Sequence, residues 1–210
     1  MKNKSAVIVS LLVILLPMLA GLLLWNRLPD ELAVHFNSEG VADKLCHKSF
    51  AVFAIPLFIL AAQILCLFFS AHDPKRHNIG GKLYNIVIWI CPACSVISGL
   101  IIYLNAFNSD FPVIPVVQAA VGLAVIIIGN YLPKCRQNYS LGIKLPWTLN
   151  NSDNWNSTHR FAGWVWIAGG FVLMINAFFN IALISAAVIV LMVLLPLIYS
   201  FALDRRSASK

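Results

Sequence analysis

The sequence predicts an all-α integral membrane protein with six transmembrane helices. Its composition and the lengths of its apolar stretches are the two observations that predict this fold. Of the 210 residues, 60% are hydrophobic and 11% are charged, whereas soluble domains contain about 25% charged residues. A helix of roughly 20 apolar residues crosses a hydrocarbon core about 30 Å thick, and six stretches of the chain reach that length. This composition excludes a soluble globular enzyme.

The predicted spans are bounded by charged residues, proline, asparagine or aromatic residues. They cover residues 5–25, 49–70, 83–104, 112–132, 161–178 and 181–203. We expect the first to be a retained helix, because its apolar stretch is longer than that of a secretory signal. Only Phe179 and Asn180 separate the last two spans, which predicts a tight helical hairpin.

Aspartate, glutamate, lysine, arginine and histidine are absent from all six predicted spans. Ion-coupled transporters usually place such groups at membrane depth, so the sequence disfavours a coupled pump. For the strongly polar residues in or near the spans, we favour hydrogen bonds between helices over a permeation path. These residues are Gln63, Asn85, Gln118, Asn130 and Asn176. Gly163, Gly169 and Gly170 are interpreted as sites of close helix packing.

Lysine and arginine are distributed unequally between the two sides of the predicted membrane. Twelve of the 15 lie in the two termini and the second and fourth loops, and the other three lie in the first loop. The twelve are Lys2, Lys4, Lys75, Arg76, Lys82, Lys134, Arg136, Lys144, Arg160, Arg205, Arg206 and Lys210. Because cytoplasmic loops are enriched in lysine and arginine, both termini are predicted to face the cytoplasm.

The first loop, residues 26–48, is unusually long for a connection between helices. Val34 and Phe36 alternate with polar neighbours as in a short strand, and Asn37 with Gly40 favours a turn. We therefore expect a small strand-containing cap on the outer face. The set His35, Asp43, Cys46 and His47 has the chemistry of metal ligands, but its spacing matches no strong zinc pattern. A hydrogen-bonded cap in which His35 and Asp43 hold the turns is favoured over a metal site.

The fourth loop, residues 133–160, interleaves aromatic and basic residues and admits two interpretations. Trp147 and Trp155 are amphipathic anchors of the kind that seat in the lipid headgroup region. Alternatively, Gly142 and Pro146 bend the chain back onto the membrane, and residues 150–153 cap a helix that enters the fifth span. The second interpretation predicts a folded platform at the membrane surface.

Both long loops resemble segments of SdpI-family membrane proteins. The outer segment, from Leu28-Pro29-Asp30 through His35-Phe36-Asn37 and Gly40 to Asp43, is similar to the small domain common at the N-terminus of that family. The run Gly142-Ile143-Lys144-Leu145-Pro146-Trp147-Thr148-Leu149 resembles the family signature G-I-R-T-P-W-T-L. Trp155 with Thr158-His159-Arg160 resembles the W-x-x-T-H-R that follows it. Lys144 and Leu145 depart from the signature, and Lys144 lacks the planar fork with which arginine binds two acceptors.

The resemblance supplies the candidate site residues on the two faces. The outer set is Leu28, Pro29, Asp30, His35, Phe36, Asn37, Gly40, Asp43 and Lys48. The inner set is Asn138, Gly142, Ile143, Lys144, Pro146, Trp147, Thr148, Leu149, Trp155, Thr158, His159, Arg160 and Gly163. It also implies two regions: residues 1–70, a helix pair with the outer cap, and residues 71–210, an SdpI-like four-helix region.

The resemblance implies an immunity protein of the bacterial cytoplasmic membrane, which protects the cell from a secreted, membrane-active toxic peptide. Members of the family are described as drawing a cytoplasmic autorepressor to the membrane when toxin is present. The expected partners are therefore a toxic peptide, a cytoplasmic repressor and the lipid bilayer, without direct contact to nucleic acid. No cofactor and no enzymatic activity are implied.

Two alternatives from other functional classes stay open at this point. Cys91-Pro92-Ala93-Cys94 has the form of a thiol oxidoreductase motif, but it falls midway along the third span, where a thiolate is poorly solvated. A proline kink in a helix that contains small apolar cysteines is favoured there. A membrane protein that binds a small molecule or a metal is the second alternative.

Overall fold

The computed structural model describes residues 4–208, so the predictions that concern Lys2 and Lys210 lie outside it. Six helices of the described chain are long and apolar enough to cross a membrane. The first span consists of α1 (Lys4–Ile14) and α2 (Leu16–Leu23). The others are α3 (Ile55–Ala71), α4 (Gly81–Phe107), α5 (Val113–Tyr131), α7 (Ser152–Phe179) and α8 (Ala182–Ala208). A short helix, α6 (Pro146–Asn150), precedes α7, and a π-helical turn, Phe50–Ala54, precedes α3.

The chain divides into two compact units. The first contains residues up to 69 together with 84–113, and the second contains residues 70–83 and everything from 114 onward. The third span therefore groups with the two N-terminal spans. The boundary predicted at residue 70 divides the chain into two continuous regions. The compact units are not continuous in sequence, because residues 84–113 belong to the first unit.

In the first unit, α4 packs closely against the first span. Ser95 donates a hydrogen bond to the carbonyl of Ile14 at 2.8 Å, and the Tyr103 hydroxyl donates to the carbonyl of Pro17 at 2.8 Å. Between them lies Gly99, where a Cβ atom would stand 2.5 Å from the Cβ of Pro17. The missing side chain at Gly99 is thus what lets the two helices touch at this point.

Gln63 is a buried polar residue of α3 whose role the structure explains. Pro92 has no backbone N–H, so it leaves the carbonyl four residues earlier, that of Ile88, without its helical donor. The Gln63 amide donates to the carbonyls of Val87 at 3.2 Å and Ile88 at 3.3 Å. A side chain of α3 therefore replaces the hydrogen bond that proline removes from α4, and the predicted hydrogen bonding between helices is confirmed for Gln63.

The outer segment folds as an antiparallel hairpin of β1 (Glu31–Phe36) and β2 (Ala42–His47). The Asn37 side chain closes the turn by accepting hydrogen bonds from the N–H groups of Glu39 and Val41, both at 3.0 Å. Gly40 has a φ of 84°, which glycine adopts without strain. Leu28 and Leu32 are buried in a cluster with the apolar residues Ala51, Val52, Ile102 and Tyr103. The second strand was not predicted, because Ala42–His47 lacks a clear apolar alternation.

The second unit is built on α5, α7 and α8. Glycines let α5 and α7 approach: a Cβ on Gly170 would stand 2.6 Å from the carbonyl oxygen of Gly122. A Cβ on Gly163 would stand 2.9 Å from that of Gly129. This confirms the predicted packing role of Gly163 and Gly170.

The corner between α7 and α8 is a single left-handed residue, Asn180, with a φ of 52°. Asn176 closes this corner by donating to the Ile181 carbonyl at 3.0 Å and to the Ser185 hydroxyl at 2.9 Å. Gln118 of α5 approaches Asn180 at 3.3 Å. The tight hairpin and the hydrogen-bonding role of these polar residues are therefore as predicted.

The fifth span was predicted from residue 161, but its helix begins nine residues earlier, within the cap predicted at residues 150–153. The helix begins at Ser152, where the Asn151 side chain accepts hydrogen bonds from the N–H groups of Asp153 and Asn154. Trp155 and Thr158–Arg160 are therefore helical and not part of a loop. The predicted span began at residue 161, directly after the basic residue Arg160. With 28 residues, or about 42 Å at 1.5 Å per residue, the helix exceeds the hydrocarbon thickness and can carry polar residues in its first turns.

Candidate functional site

The outer hairpin carries two side-chain contacts, a hydrogen bond between its strands and an ion pair at its base. His35 of β1 donates to the carboxylate of Asp43 in β2 at 2.5 Å. Lys48 contacts Asp30 at 2.9 Å and lies 5.1 Å from the ring centroid of Trp25. The hydrogen bond from His35 lowers the pKa of Asp43, and that from Lys48 lowers the pKa of Asp30. These contacts cross the hairpin and its base, in agreement with the predicted turn-holding role of His35 and Asp43.

The alternative metal set, His35, Asp43, Cys46 and His47, does not come together as a ligand group in the described part of the chain. His47 bonds instead with Ser49, whose hydroxyl lies 2.7 Å from the imidazole Nδ1. Burial raises the pKa of Cys46, which disfavours the thiolate that a metal would need. Within residues 4–208, no group of three histidine, cysteine, aspartate or glutamate side chains is placed to hold a metal ion.

The inner motif, residues 142–149, is fastened to the first turns of α7 by His159. Its Nε2 atom accepts the N–H of Ile143 at 2.9 Å, and its Nδ1–H donates to the carbonyl of Trp155 at 2.8 Å. The imidazole is therefore neutral, with the proton on Nδ1, and both nitrogens are in use. Gly142 has a φ of 105°, and a Cβ there would stand 2.4 Å from Nε2 of His159. Glycine is required at this position for both reasons.

Thr148 organises the bend that precedes α6. Its hydroxyl is fully buried, accepts the N–H of Leu145 at 2.9 Å and lies 2.9 Å from the carbonyl of Ile143. Pro146 occupies the first turn of the helix, where its missing N–H has no cost. Pro146 and Thr148 therefore fix the turn that leads from Gly142 into α6.

Trp147 connects α6 to α8. Its indole N–H donates to the Ser200 hydroxyl at 2.6 Å, and its ring packs against Phe201 at a centroid distance of 5.7 Å. Asn154 of α7 donates to the Ser200 carbonyl at 3.0 Å and receives the Thr158 hydroxyl at 2.9 Å. We call these four residues, Trp147, Asn154, Thr158 and Ser200, the inner latch. It joins α6, α7 and α8 at one buried point.

Trp155 is 0% exposed and donates its indole N–H to the carbonyl of Cys135 at 2.7 Å. It stacks on His159 with ring centroids 4.1 Å apart. The interpretation of Trp155 as a headgroup anchor is therefore wrong. The indole N–H groups of Trp147 and Trp155 both bind partners within the protein, and the folded-platform interpretation is the one that matches these contacts.

Comparisons with known proteins agree with this geometry. Residues 134–200 match the SdpI/YfhL protein family, and residues 12–60 match a family described as a domain of unknown function, DUF1648. We refer to residues 134–200, the part of the chain that matches this family model, as the SdpI-family region. The chain is also 27% identical over 194 residues to Immunity protein SdpI of Bacillus subtilis (strain 168), which covers 92% of this chain and 91% of that protein. No solved structure matches the chain significantly.

The resemblance to the SdpI family is thereby confirmed, and the chain is a multi-pass cell-membrane protein. The SdpI-family region contains the inner motif, the helical Trp155 to Arg160 turn and Ser200. The structure brings these parts together, although Ser200 lies 53 residues after Trp147 in sequence. Of the remaining inner candidates, Arg160 is exposed, and Gly163 lies against Pro133, where a Cβ would stand 2.8 Å from the proline ring.

Lys144 stands where the family signature has arginine. Its ammonium group donates to the carbonyls of Tyr139 at 3.1 Å and Ser140 at 3.2 Å. The compact ammonium group of lysine can donate to two neighbouring backbone carbonyls, so the planar guanidinium of arginine is not required here. The departure at Lys144 is therefore compatible with the local fold.

Two residues of this site were missed in the sequence, Asp73 and Gln137. Asp73 lies in the loop between α3 and α4, outside both matched regions. It accepts hydrogen bonds from the Tyr139 N–H at 2.9 Å, the Ser140 hydroxyl at 2.6 Å and the Lys75 N–H at 2.7 Å. Burial raises the pKa of Asp73, but these hydrogen bonds outweigh burial and lower it overall. The Asp73-Pro74 pair signalled a turn, and nothing local signalled its distant partners.

Gln137 joins the same loop to the inner motif. Its side-chain oxygen accepts the Lys75 ammonium at 2.6 Å, and its carbonyl accepts the Asn78 amide at 2.8 Å. Its amide nitrogen donates to the carbonyls of Thr148 at 2.9 Å and Leu149 at 2.8 Å. Gln137 therefore contacts both the 72–79 loop and the end of the SdpI-family motif.

Asn138 and Cys135 complete the interior of the inner segment. The Asn138 side chain is fully buried and accepts the N–H groups of Ser140 at 2.9 Å and Leu141 at 2.7 Å. Burial raises the pKa of Cys135 to about 11, so this thiol is protonated at neutral pH. A reactive thiolate is not available there.

Cys91 and Cys94 lie inside α4, on either side of Pro92, whose missing hydrogen bond Gln63 replaces. Cys91 is half-buried and Cys94 is exposed on the apolar helix surface. Pro92 is thus accommodated within α4 by packing and hydrogen bonding in the first unit.

Proposed function

We propose that this chain is a membrane immunity protein that protects the cell from a secreted, membrane-active toxic peptide. This proposal rests on the similarity to Immunity protein SdpI, which extends over nearly all of both chains. The proposed role involves no catalytic step and no cofactor. It agrees with a fold in which the polar interior consists of hydrogen bonds between helices.

We further propose that both termini face the cytoplasm, as the 12 to 3 distribution of lysine and arginine indicates. The outer hairpin then faces the medium from which the peptide arrives, and the inner motif faces the cytoplasm. A cytoplasm-specific reporter fused after Ala208 or within the loop 72–79 should be active. A reporter that is active at Glu39 and silent at those positions would reverse the orientation.

Recruitment of a cytoplasmic repressor is the second part of the proposal. A peptide outside can alter a cytoplasmic surface only if it binds two conformations of the protein with different affinities. The inner latch supports this idea, because it joins the motif to α7 and α8, which both continue to the outer corner at Asn180. The repressor would then bind when the position of the motif changes.

The test compares survival of a sensitive strain with and without this protein during challenge by membrane-active peptides. A shift of the growth-inhibiting concentration to higher values with the protein is expected. The matched control is Trp164→Phe, a change at an exposed position that should retain tolerance. Equal inhibition of both strains by every peptide tested, at normal protein abundance, would refute the immunity function.

A further inference from the structure

We propose that the loop 72–79 forms one recognition surface with the inner segment 134–144, and that this surface binds an acidic segment of a cytoplasmic protein. The proposal deepens the proposed function and depends on it for the cytoplasmic side. It concerns the chemistry of the partner and a part of the chain that lies outside both regions matched by known families.

The two segments are joined by side chains and not by simple proximity. Asp73, which is 4% exposed, receives the N–H of Tyr139 and the hydroxyl of Ser140. Gln137 receives Lys75 and Asn78 from the same loop. With these bonds in place, the short 3₁₀ turn Arg76–Asn78 is held beside the inner segment. The loop is therefore attached to the inner segment at several points.

The surface that results is strongly basic. Its two segments contain five lysine and arginine residues and a single acid, Asp73. The basic residues are Lys75, Arg76, Lys134, Arg136 and Lys144. All of them are exposed or half-exposed, whereas the carboxylate of Asp73 is buried and used internally. The charge that faces outward is consequently all positive, which fits an acidic partner.

An acidic protein segment suits this surface better than the headgroups of anionic lipid. Tryptophan is enriched in segments that lie in the headgroup region, where its ring acts as an anchor. Here Trp155 is fully buried, and the indole N–H of Trp147 is bound to Ser200. The exposed aromatic residue among these cations is Tyr139, beside which Lys75 lies at 5.5 Å from the ring centroid. The surface thus presents cations and a tyrosine ring without a hydrophobic anchor.

The test measures binding of a fluorescent poly-L-glutamate peptide to the full chain in nanodiscs of phosphatidylcholine, by anisotropy. Arg76→Glu and Arg136→Glu are each expected to weaken binding about tenfold, because each places a like charge against the peptide. Lys82→Glu is the matched control: it reverses an exposed base six residues after Arg76 and should change affinity less than about twofold. Equal losses for Arg76→Glu and Lys82→Glu, or a loss for Arg136→Glu alone, would overturn the proposal.

Asp73→Asn separates positioning from charge. If net charge alone governed binding, removal of this acid would strengthen it. If Asp73 positions the loop, the substitution weakens binding even though the protein becomes more basic. Stronger or unchanged binding would therefore refute the joint surface.

Nanodiscs that also contain phosphatidylglycerol provide the lipid arm. Peptide binding should persist in them, and its loss would assign the surface to lipid and overturn the proposal. The assay contains neither toxin nor living cells, so its outcome is independent of whether the chain confers tolerance.

Discussion

The indole N–H of Trp166 in α7 donates a hydrogen bond to the carbonyl of Met192 in α8 at 3.0 Å. Met192 is four residues before Pro196, so its carbonyl is the one that the proline leaves without a helical donor. The same solution occurs in the first unit, where Gln63 donates to the carbonyl released by Pro92. In each unit a side chain from a neighbouring helix replaces the hydrogen bond that proline removes.

Trp166→Phe should lower the stability of the protein by about 1 kcal/mol, because the Met192 carbonyl then has no donor in an apolar environment. Thermal unfolding in detergent, followed by loss of the monodisperse protein, measures this effect. Trp164→Phe is the matched control, since Trp164 lies on the same helix and is 71% exposed. Equal melting temperatures for the two variants would contradict the role of Trp166.

Gly142→Ala should destabilise the inner motif by about 1 to 3 kcal/mol, the cost of a residue held in a rarely populated backbone region. A φ of 105° and the closeness of His159 both oppose a side chain there. Gly80→Ala is the control, because nothing lies within 4 Å of a Cβ at that position. Limited proteolysis at Lys144 reports the opening of the motif, and a rate in Gly142→Ala equal to that in Gly80→Ala would disprove the constraint.

Ser200→Ala should release Trp147 from α8 without removing any side chain from the cytoplasmic surface. We expect membrane recruitment of a repressor to fall while toxin tolerance is retained, since the helices and the outer hairpin are unchanged. Trp147→Ala should have the same effect and a larger magnitude. Ser207→Ala, an exposed serine of the same helix, is the control. Wild-type recruitment in both Ser200→Ala and Trp147→Ala would exclude the inner latch from signalling.

Asp73 makes a stability contribution that depends on pH. Because the pKa of Asp73 is lowered in the folded protein, the contribution is present above the ordinary pKa of about 3.9 and is lost as the pH falls through the lowered value. The difference in melting temperature between the wild type and Asp73→Asn should therefore be constant from pH 7 to pH 5. It should shrink below about pH 4. A difference that grows in acid would contradict the hydrogen-bonded carboxylate.

The sequence by itself determined the membrane class, the number of spans and the location of the two structured segments between them. These follow from local quantities: apolar length, the turn chemistry of Asn37 and Gly40, and the Gly142 to Leu149 motif. The packing of Gly163 and Gly170 was also predictable, because small residues in a membrane helix have few other uses. The cap at residues 150–153 was predictable as well, but the span itself was expected only from residue 161, because residues 152–160 of α7 are too polar to count as a span.

Only the tertiary structure decided which distant groups share a hydrogen bond. Trp147 finds Ser200, and Asp73 finds Ser140, across separations at which neither partner leaves a periodic or compositional signal. The burial of Trp155 has the same cause. An indole N–H can find a hydrogen-bond acceptor either in the headgroup region or in the protein interior. Here the acceptor is the buried carbonyl of Cys135, so Trp155 is interior and not a headgroup anchor. A buried polar group must be paired, but the sequence does not state with which partner, since that depends on how the helices pack.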